Sequence, residues 1–280
     1  MITFVPTIQQ VMISNTEKPS SYDHLETMST GDILLAINAE DVTVPVAVGK
    51  CIPQITTLVD GIVDRMKRGG RVFYLGAGTS GRLGVTDASE IPPTYGVHDK
   101  FIGIIAGGDS AIRNAVEGAE DSPERGRADL MAFQPGKEDT VIGITASGGA
   151  PYVIGALQAA REVGALTSCI TCNEDAPVVA FSDAPVVAPV GPEFVTGSTR
   201  MKSGTAAKLI LNMISTSVMI RLGHVRGNRM VDMQLTNKKL VDRGTRFIMA
   251  ETGEEDYERA KALLLRWGSV REAVAHYKDE

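Results

Sequence analysis

The chain has 280 residues, of which 34 are acidic and 28 are basic, so its net charge is −6 at neutral pH. This acidic balance argues against nonspecific binding to nucleic acid. Three cysteines, an odd number, and no secretory leader in residues 1–20 predict a cytoplasmic protein without disulfides. The longest apolar stretch, Leu209 to Ile220, is broken by polar residues, so no membrane span is predicted.

Helical signals come first along the chain. Ser29 supplies an N-cap and Asp32 an acidic first turn, ahead of apolar residues at helical spacing. One longer helix is predicted over residues 44–67 by the same spacing, and Gly69 and Gly70 end it. Residues 1–45 are therefore assigned to an N-terminal helical segment.

Short apolar runs alternate with helical patterns through the middle of the chain. Strands are predicted at Arg71–Leu75, Phe101–Ala106, Thr140–Thr145, Leu166–Thr171 and Pro185–Pro189, with helices such as Ala111–Ala119 and Pro151–Val163 between them. This alternation predicts an α/β fold, with a doubly wound, mostly parallel sheet flanked by helices over residues 46–225.

The end of the chain is predicted to be helical. Helical patterns cover Thr199–Leu222, Val231–Ala250, Glu255–Arg266 and Ser269–Tyr277. The last three belong to a short C-terminal helical segment, residues 226–280. No long Pro/Ser linker separates it from the α/β unit, so the helices are expected to pack onto that unit.

The loop after the first strand, Gly76–Arg82, carries the three glycines of the dinucleotide fingerprint. An NAD site would also need an acidic residue about 20 positions on, at the end of the next strand. Asp99 precedes that strand and Asp109 comes late. Thr79 and Ser80 instead offer hydroxyls beside an exposed backbone, which favours a phosphate monoester. An NAD site and a plain structural turn remain the alternatives.

The loop after the third strand repeats this chemistry. Thr145 and Ser147 supply hydroxyls, and Gly148 and Gly149 leave the backbone exposed ahead of a helix that Pro151 can open. Two such loops on successive crossovers predict a phosphate-binding site.

A third loop precedes the long helix. It contains Ser198 and Thr199 at capping positions and two cations, Arg200 and Lys202. The loop is interpreted either as a further part of the phosphate site or as ordinary helix capping.

Four stretches resemble one enzyme family. They are Tyr74–Gly84, Asp87–Gly96, Ala115–Asp121 and Thr196–Gly204, and together they are similar to the N-acetylmuramic acid 6-phosphate etherases of the sugar isomerase (SIS) domain superfamily. The resemblance implies cleavage of a D-lactyl ether to N-acetylglucosamine 6-phosphate and D-lactate during cell-wall recycling. It also implies a homodimer and no metal or other cofactor.

The resemblance gives two glutamates catalytic roles, with Glu90 as the proton donor and Glu120 as the base. In the ring-opened sugar the C2 proton lies alpha to an aldehyde and the ether oxygen on C3 lies beta to it. Elimination then needs one carboxylate to remove the proton and one to protonate the departing lactate oxygen, before water adds to C3. Without the resemblance, Glu120 would be interpreted as an ordinary surface carboxylate.

The expected ligand of the site is an amino-sugar phosphate. Its predicted contacts are Gly78, Thr79, Ser80, Gly81, Arg82, Thr145, Ser147, Gly148, Ser198, Thr199, Arg200 and Lys202. Arg82 and Arg200 are candidates for the lactyl carboxylate, because a guanidinium binds a carboxylate with two hydrogen bonds. Gly149 and Ala150 depart from the family pattern, which has Arg and Thr there.

Three other functions stay open: a sugar-phosphate isomerase on the same fold, a noncatalytic sensor similar to the glucokinase regulatory protein, and an NAD-binding protein. The presence of both Glu90 and Glu120 favours an enzyme over a sensor. Cys169 and Cys172 have metal or redox spacing but lie in a strand pattern and are predicted core residues. The scattered histidines predict no zinc site.

Overall fold

The computed structural model describes residues 14–279, so residues 1–13 of the predicted N-terminal segment and Glu280 lie outside the described residues. The helices are α1 Thr30–Asp41, α2 Thr43–Gly49, α3 Ile52–Lys67, α4 Gly78–Ser89, α5 Ile91–Tyr95, α6 Ser110–Arg113, α7 Pro123–Met131, α8 Pro151–Glu162, α9 Lys202–Arg221, α10 Lys238–Thr252, α11 Tyr257–Trp267 and α12 Val270–Ala275. The strands are β1 Val72–Gly76, β2 Phe101–Ile105, β3 Thr140–Ile144, β4 Leu166–Thr171, β5 Val186–Val187, β6 Val225–Arg226 and β7 Arg229–Met230.

The central sheet has the strand order β2-β1-β3-β4-β5, and all of its pairings are parallel. This confirms the predicted α/β fold with a doubly wound parallel sheet. From β1 the chain continues to β2 on one side and later returns to β3 on the other side, so the strand order reverses between the neighbours β1 and β3. In such folds ligands bind beyond the carboxyl ends of the strands at this reversal.

Helices cover both faces of the sheet. Successive residues of a strand point to opposite faces, so Tyr74 of β1 packs with α3 and α9, whereas Phe73 and Leu75 pack with α7 and α8. All residues of β1 and β3 are buried. The two loops predicted to bind phosphate thus leave the rigid centre of the sheet.

The predicted helix over residues 44–67 is two helices in the structure. α2 ends at Gly49, and α3 starts afresh at Ile52 with Pro53 in its first turn. A proline within a continuous helix would remove a hydrogen bond and clash with the preceding turn, whereas the first turn tolerates it. The break is therefore the local effect of Pro53.

The predicted helix Ala111–Ala119 was wrong in length. Only the four residues of α6 are helical, and the chain becomes extended at Asn114. Gly118 then adopts a φ of 67°, in the left-handed region that favours glycine. The resulting turns lead to Glu120, immediately ahead of α7.

The C-terminal helices α10, α11 and α12 form their own hydrophobic cluster around Ile248, Leu263 and Leu264. The short hairpin β6–β7, which the sequence did not predict, precedes them. Arg271 donates to Asp232, and a carboxylate oxygen of Asp232 also lies 2.7 Å from Nδ1 of His224. The boundaries 1–45, 46–225 and 226–280 remain predictions.

Only one pair of consecutive helices in residues 14–279 has the length and apolar composition of a membrane span. By length and apolar composition, no single helix within residues 14–279 could cross a bilayer. Thr30–Gly49 and Ile52–Lys67 meet the requirement only when taken together, and they are bent by 57° at their junction.

The contact between α7 and α8 depends on two glycines. A Cβ at Gly155 would lie 2.1 Å from the carbonyl oxygen of Pro123, and one at Gly126 would lie 1.8 Å from that of Tyr152. We expect Gly155→Ala to lower the free energy of unfolding by about 2 kcal/mol or more, because neither backbone can yield locally. Thermal unfolding measures this. Gly49→Ala is the matched control, since a Cβ there meets nothing within 4 Å; equal midpoints for the two variants would contradict the packing argument.

Candidate functional site

A cavity of about 290 Å³ opens at the carboxyl ends of β1 and β3, and we call it the loop cavity. It is lined by Glu17, Ala77, Gly78, Thr79, Ser80, Glu120, Ile144, Thr145, Ala146, Ser147, Ala150, Gly197 and Thr199. The structure therefore brings residues of all three predicted loops, together with one of the two predicted catalytic glutamates, around a single space.

The first loop presents the start of α4 to the loop cavity. No side chain caps this helix, and the first N–H groups of an α-helix have no partner within the helix. Glycines are required for the tight turn, because a Cβ at Gly81 would lie 2.5 Å from the carbonyl oxygen of Gly76. An uncapped helix N-terminus with hydroxyls beside it is able to bind an anion.

The second loop is held in shape by hydrogen bonds within the loop and from Asn173. Gly148 donates its N–H to Thr145 Oγ1 at 3.1 Å and has a φ of 77°. Asn173, at the carboxyl end of β4, donates to the carbonyl oxygens of Ala146 and Ser147 at 3.1 and 3.0 Å. The loop is thus fixed before any ligand binds, with the Ser147 side chain on the cavity wall.

The third loop contributes less than predicted. Thr199 and Gly197 line the loop cavity, whereas Ser198, Arg200 and Lys202 do not. The Lys202 ammonium lies 2.6 Å from a carboxylate oxygen of Glu40, and its side chain is only 4% exposed.

The N-terminus of α9 already holds a carboxylate. Buried Glu193 accepts hydrogen bonds from the backbone N–H groups of Lys202 and Ser203 at 2.8 and 2.9 Å. These donors are therefore satisfied within the chain, and Glu193 caps α9 in place of the predicted capping residues Ser198 and Thr199. A role for this loop in phosphate binding stays a prediction.

Arg82 also lies away from the loop cavity. Its guanidinium donates through Nε to the carbonyl oxygen of Ile112 at 2.9 Å. Glu17, on the loop-cavity wall, was not predicted from the sequence. Asn173, which bonds to the second loop, was not predicted either. Its position just after β4 could have indicated it, because parallel strands end at the same edge of the sheet.

Glu90 lines a second cavity of about 370 Å³, which we call the Glu90 cavity. The space lies between the C-terminal end of α4, α5 and one face of α9. Its lining is Leu83, Thr86, Asp87, Glu90, Ile91, Thr94, Tyr95, Lys208, Leu211, Asn212, Ser215 and Thr216.

The two predicted catalytic glutamates therefore line different cavities of one chain. Gly78, at the start of α4, lines the loop cavity, and Glu90 follows the last residue of the same helix. Ser80, the last residue of α4 on the loop-cavity wall, precedes Glu90 by ten residues, which is about 15 Å along the helix at 1.5 Å per residue. A single hexose phosphate is shorter than that.

Asp87 is a half-buried acid near Glu90. Ser215 donates its hydroxyl to Asp87 at 3.1 Å, and burial raises the pKa of Asp87 to about 6. Burial and the nearby Asp87 charge likewise hold the pKa of the Tyr74 hydroxyl well above its usual range. This end of the Glu90 cavity consequently disfavours negative charge.

The raised pKa of Asp87 predicts a pH-dependent stability. Its value of about 6 in the folded protein exceeds the ordinary value of about 4 in the unfolded chain, so the folded state binds more protons between those limits. Stability is lost as the pH rises through this range. We expect Asp87→Asn to raise the unfolding midpoint at pH 8, where the free energy of unfolding should increase by up to about 2 kcal/mol. Near pH 4 the substitution should have little effect.

Midpoints measured across this pH range test the expectation. Asp60→Asn, at an exposed position of α3, is the control and should have little effect at any pH. A gain at Asp87 that persists unchanged at acid pH would contradict the assignment.

Metal-binding groups are not clustered in the described part of the chain: within residues 14–279, no three or more His, Cys, Asp or Glu side chains come together to hold an ion. Cys169 and Cys172 are free and buried, which confirms their prediction as core residues.

Solved structures share this fold. A phosphoheptose isomerase from Francisella tularensis superposes with a TM-score of 0.53 at 15% identity, covering 69% of this chain and all of that one (100%). The c3406 protein of E. coli CFT073 gives a TM-score of 0.51 at 17% identity, covering 72% and 97%. Residues 54–161 match the family model of the glucokinase regulatory protein N-terminal SIS domain. The sheet and its helices are therefore an SIS fold.

Sequence relatives are much closer. The N-acetylmuramic acid 6-phosphate etherase of Bacteroides fragilis is 61% identical over 267 residues, which are 95% of this chain and 95% of that protein. The enzyme of the same name from Serratia proteamaculans is 49% identical, over 94% of this chain and 89% of its own length. At such identities across almost the whole of both sequences, the chain belongs to the N-acetylmuramic acid 6-phosphate etherase family.

Proposed function

We propose that this chain cleaves the D-lactyl ether of N-acetylmuramic acid 6-phosphate in cell-wall sugar recycling, by elimination of D-lactate and addition of water. The observation that carries the proposal is the loop cavity, in which an uncapped helix N-terminus and several hydroxyls share one space with the carboxylate of Glu120. That combination provides a phosphate-binding site beside a base.

The phosphate would bind at the start of α4. The first N–H groups of this helix and the hydroxyls of Thr79, Ser80, Thr145 and Ser147 surround the cavity. The helix N-terminus carries a partial positive charge, which stabilises a phosphate group without a lysine or arginine. A bound phosphate would anchor one end of the sugar in the cavity.

Glu120 is proposed to remove the C2 proton of the ring-opened sugar. The resulting negative charge is delocalised into the C1 aldehyde, and the C3–O bond to lactate breaks as the C2–C3 double bond forms. Glu90 is proposed to give its proton to the departing lactate oxygen. Water then adds at C3 and a proton returns to C2, which completes N-acetylglucosamine 6-phosphate.

A homodimer is part of the proposal. Because Glu90 lies about 15 Å along α4 from Ser80 on the wall of its own chain's loop cavity, we infer that the Glu90 cavity faces the loop cavity of a partner chain and that Glu90 acts on the substrate held there. A two-fold dimer repeats this contact, so each of its two sites would combine Glu120 of one chain with Glu90 of the other. A reducing, cytoplasmic setting fits the buried free thiols of Cys51, Cys169 and Cys172.

Isotope labelling tests the elimination. The chain should release D-lactate from N-acetylmuramic acid 6-phosphate, and the sugar product should carry deuterium at C2 in heavy water and ¹⁸O at C3 in ¹⁸O water. Mass spectrometry and NMR of the product locate both labels. An isomerase would release no lactate. Appearance of ¹⁸O in the lactate hydroxyl would mean that the other side of the ether is cut, and it would overturn the mechanism.

A further inference from the structure

The Glu90 cavity contains a cation that none of the sequence motifs includes. Lys208 lies on the face of α9 that also presents Leu211, Asn212 and Ser215 to this cavity. Among residues 14–279, its ammonium forms no ion pair, since no carboxylate oxygen comes within 4.0 Å of it. It is close enough to Asp87 to lower that residue's pKa, but no residue in the described range accepts a hydrogen bond from it.

The chemistry of the proposed reaction fixes where the lactyl carboxylate must lie. The ether oxygen that Glu90 would protonate is attached to the carbon that bears this carboxylate. Whichever chain supplies the phosphate site, the carboxylate therefore sits within a few ångströms of Glu90, in the cavity that Glu90 lines. Because this end of the cavity disfavours negative charge, holding a carboxylate there requires a cation, and Lys208 is the cation in the lining.

The remaining walls also suit a small hydroxy acid. Asn212 and Thr216 add hydrogen-bonding groups on the face of α9, while Leu83 and Ile91 give an apolar wall that can contact a methyl group. The two arginines suggested by the sequence do not line this cavity, and Arg82 is bonded to the backbone elsewhere.

We propose that the Glu90 cavity is the subsite for the lactyl group and that Lys208 binds its carboxylate. This inference rests on the proposed function, and in the dimer Lys208 would act on the same substrate as the Glu90 beside it. Lys208 is then the residue that distinguishes the lactyl-bearing substrate from the product sugar.

Binding measurements separate this role from catalysis. In a Glu90→Gln background, which should slow turnover by about 10²- to 10⁴-fold, calorimetry would compare N-acetylmuramic acid 6-phosphate with N-acetylglucosamine 6-phosphate, which lacks the lactyl group. Adding Lys208→Met should weaken the first ligand about 10- to 100-fold, as expected for loss of a charge-assisted hydrogen bond. The second ligand should change by less than about twofold, and Lys208→Arg should retain much of the preference.

Matched variants decide the alternatives. Lys67→Met, at an exposed position on α3, should change neither affinity. Equal weakening of both ligands by Lys208→Met, or no change in either, would overturn the subsite. So would a selective loss with Arg82→Met or Arg200→Met. If wild-type protein released no D-lactate, the proposed function itself would fail, whatever the two affinities showed.

Discussion

Replacing Glu90 with glutamine is expected to lower the rate of D-lactate release by about 10²- to 10⁴-fold, the usual contribution of a positioned acid or base. The amide has the size and shape of the carboxyl group, but it cannot transfer a proton to the departing oxygen. Substrate affinity should change little. Initial rates of lactate formation, together with calorimetry on N-acetylmuramic acid 6-phosphate, measure the two effects separately.

Glu117 supplies the control for this experiment. It is an exposed glutamate that lines neither cavity, so Glu117→Gln should keep the rate within about twofold of wild type. A Glu90→Gln enzyme that retained a tenth or more of wild-type activity would exclude Glu90 as the proton donor. An enzyme that lost binding as well would point to a structural role.

Mixing two inactive variants is expected to restore activity. If each site takes Glu90 from one chain and Glu120 from the other, a heterodimer of Glu90→Gln and Glu120→Gln chains has one doubly altered site and one intact site. Random assortment makes about half of the dimers mixed, so the sample should recover about a quarter of wild-type activity. Separately tagged chains, coexpressed and purified through both tags, should reach about half.

The mixing experiment distinguishes a site shared between two chains from a site within a single chain. If Glu90 and Glu120 served the site of a single chain, every site in the mixed dimer would carry one change and activity would stay at the level of the parents. Pairing Glu90→Gln chains with the double variant Glu90→Gln/Glu120→Gln is the control, because no intact site can form there. Recovery of lactate release in that control would show that the lactate does not come from the shared site.

Sequence periodicity predicted the part of the site that depends on local structure. A buried strand followed by glycines and hydroxyls has few ways to fold, and parallel strands end at one edge of the sheet. Thr79, Ser80, Thr145 and Ser147 accordingly line one cavity, as expected. Their role in binding phosphate stays a prediction until a ligand is measured.

The features that depend on distant partners were not predictable in this way. Glu40 lies far from Lys202 in the chain, and no local pattern indicates that they pair. The separation of Glu90 from the loop cavity, in contrast, follows from the length of α4. The resemblance gave Glu90 a catalytic role through its motif, and a motif does not give the distance of that residue from the loops.

The carboxylate of Glu193 affects which phosphorylated sugars this protein can bind. α9 begins close to the loop cavity, where a Cβ at Gly204 would lie 3.6 Å from the Thr79 methyl group. Because Glu193 already neutralises this second helix terminus, α4 is left as the helix end that stabilises a dianion. A second phosphoryl group placed near this terminus would meet backbone N–H groups that already donate to Glu193. The protein should therefore discriminate between monophosphorylated sugars and nucleotide-activated sugars by charge, even where both carry the same amino sugar.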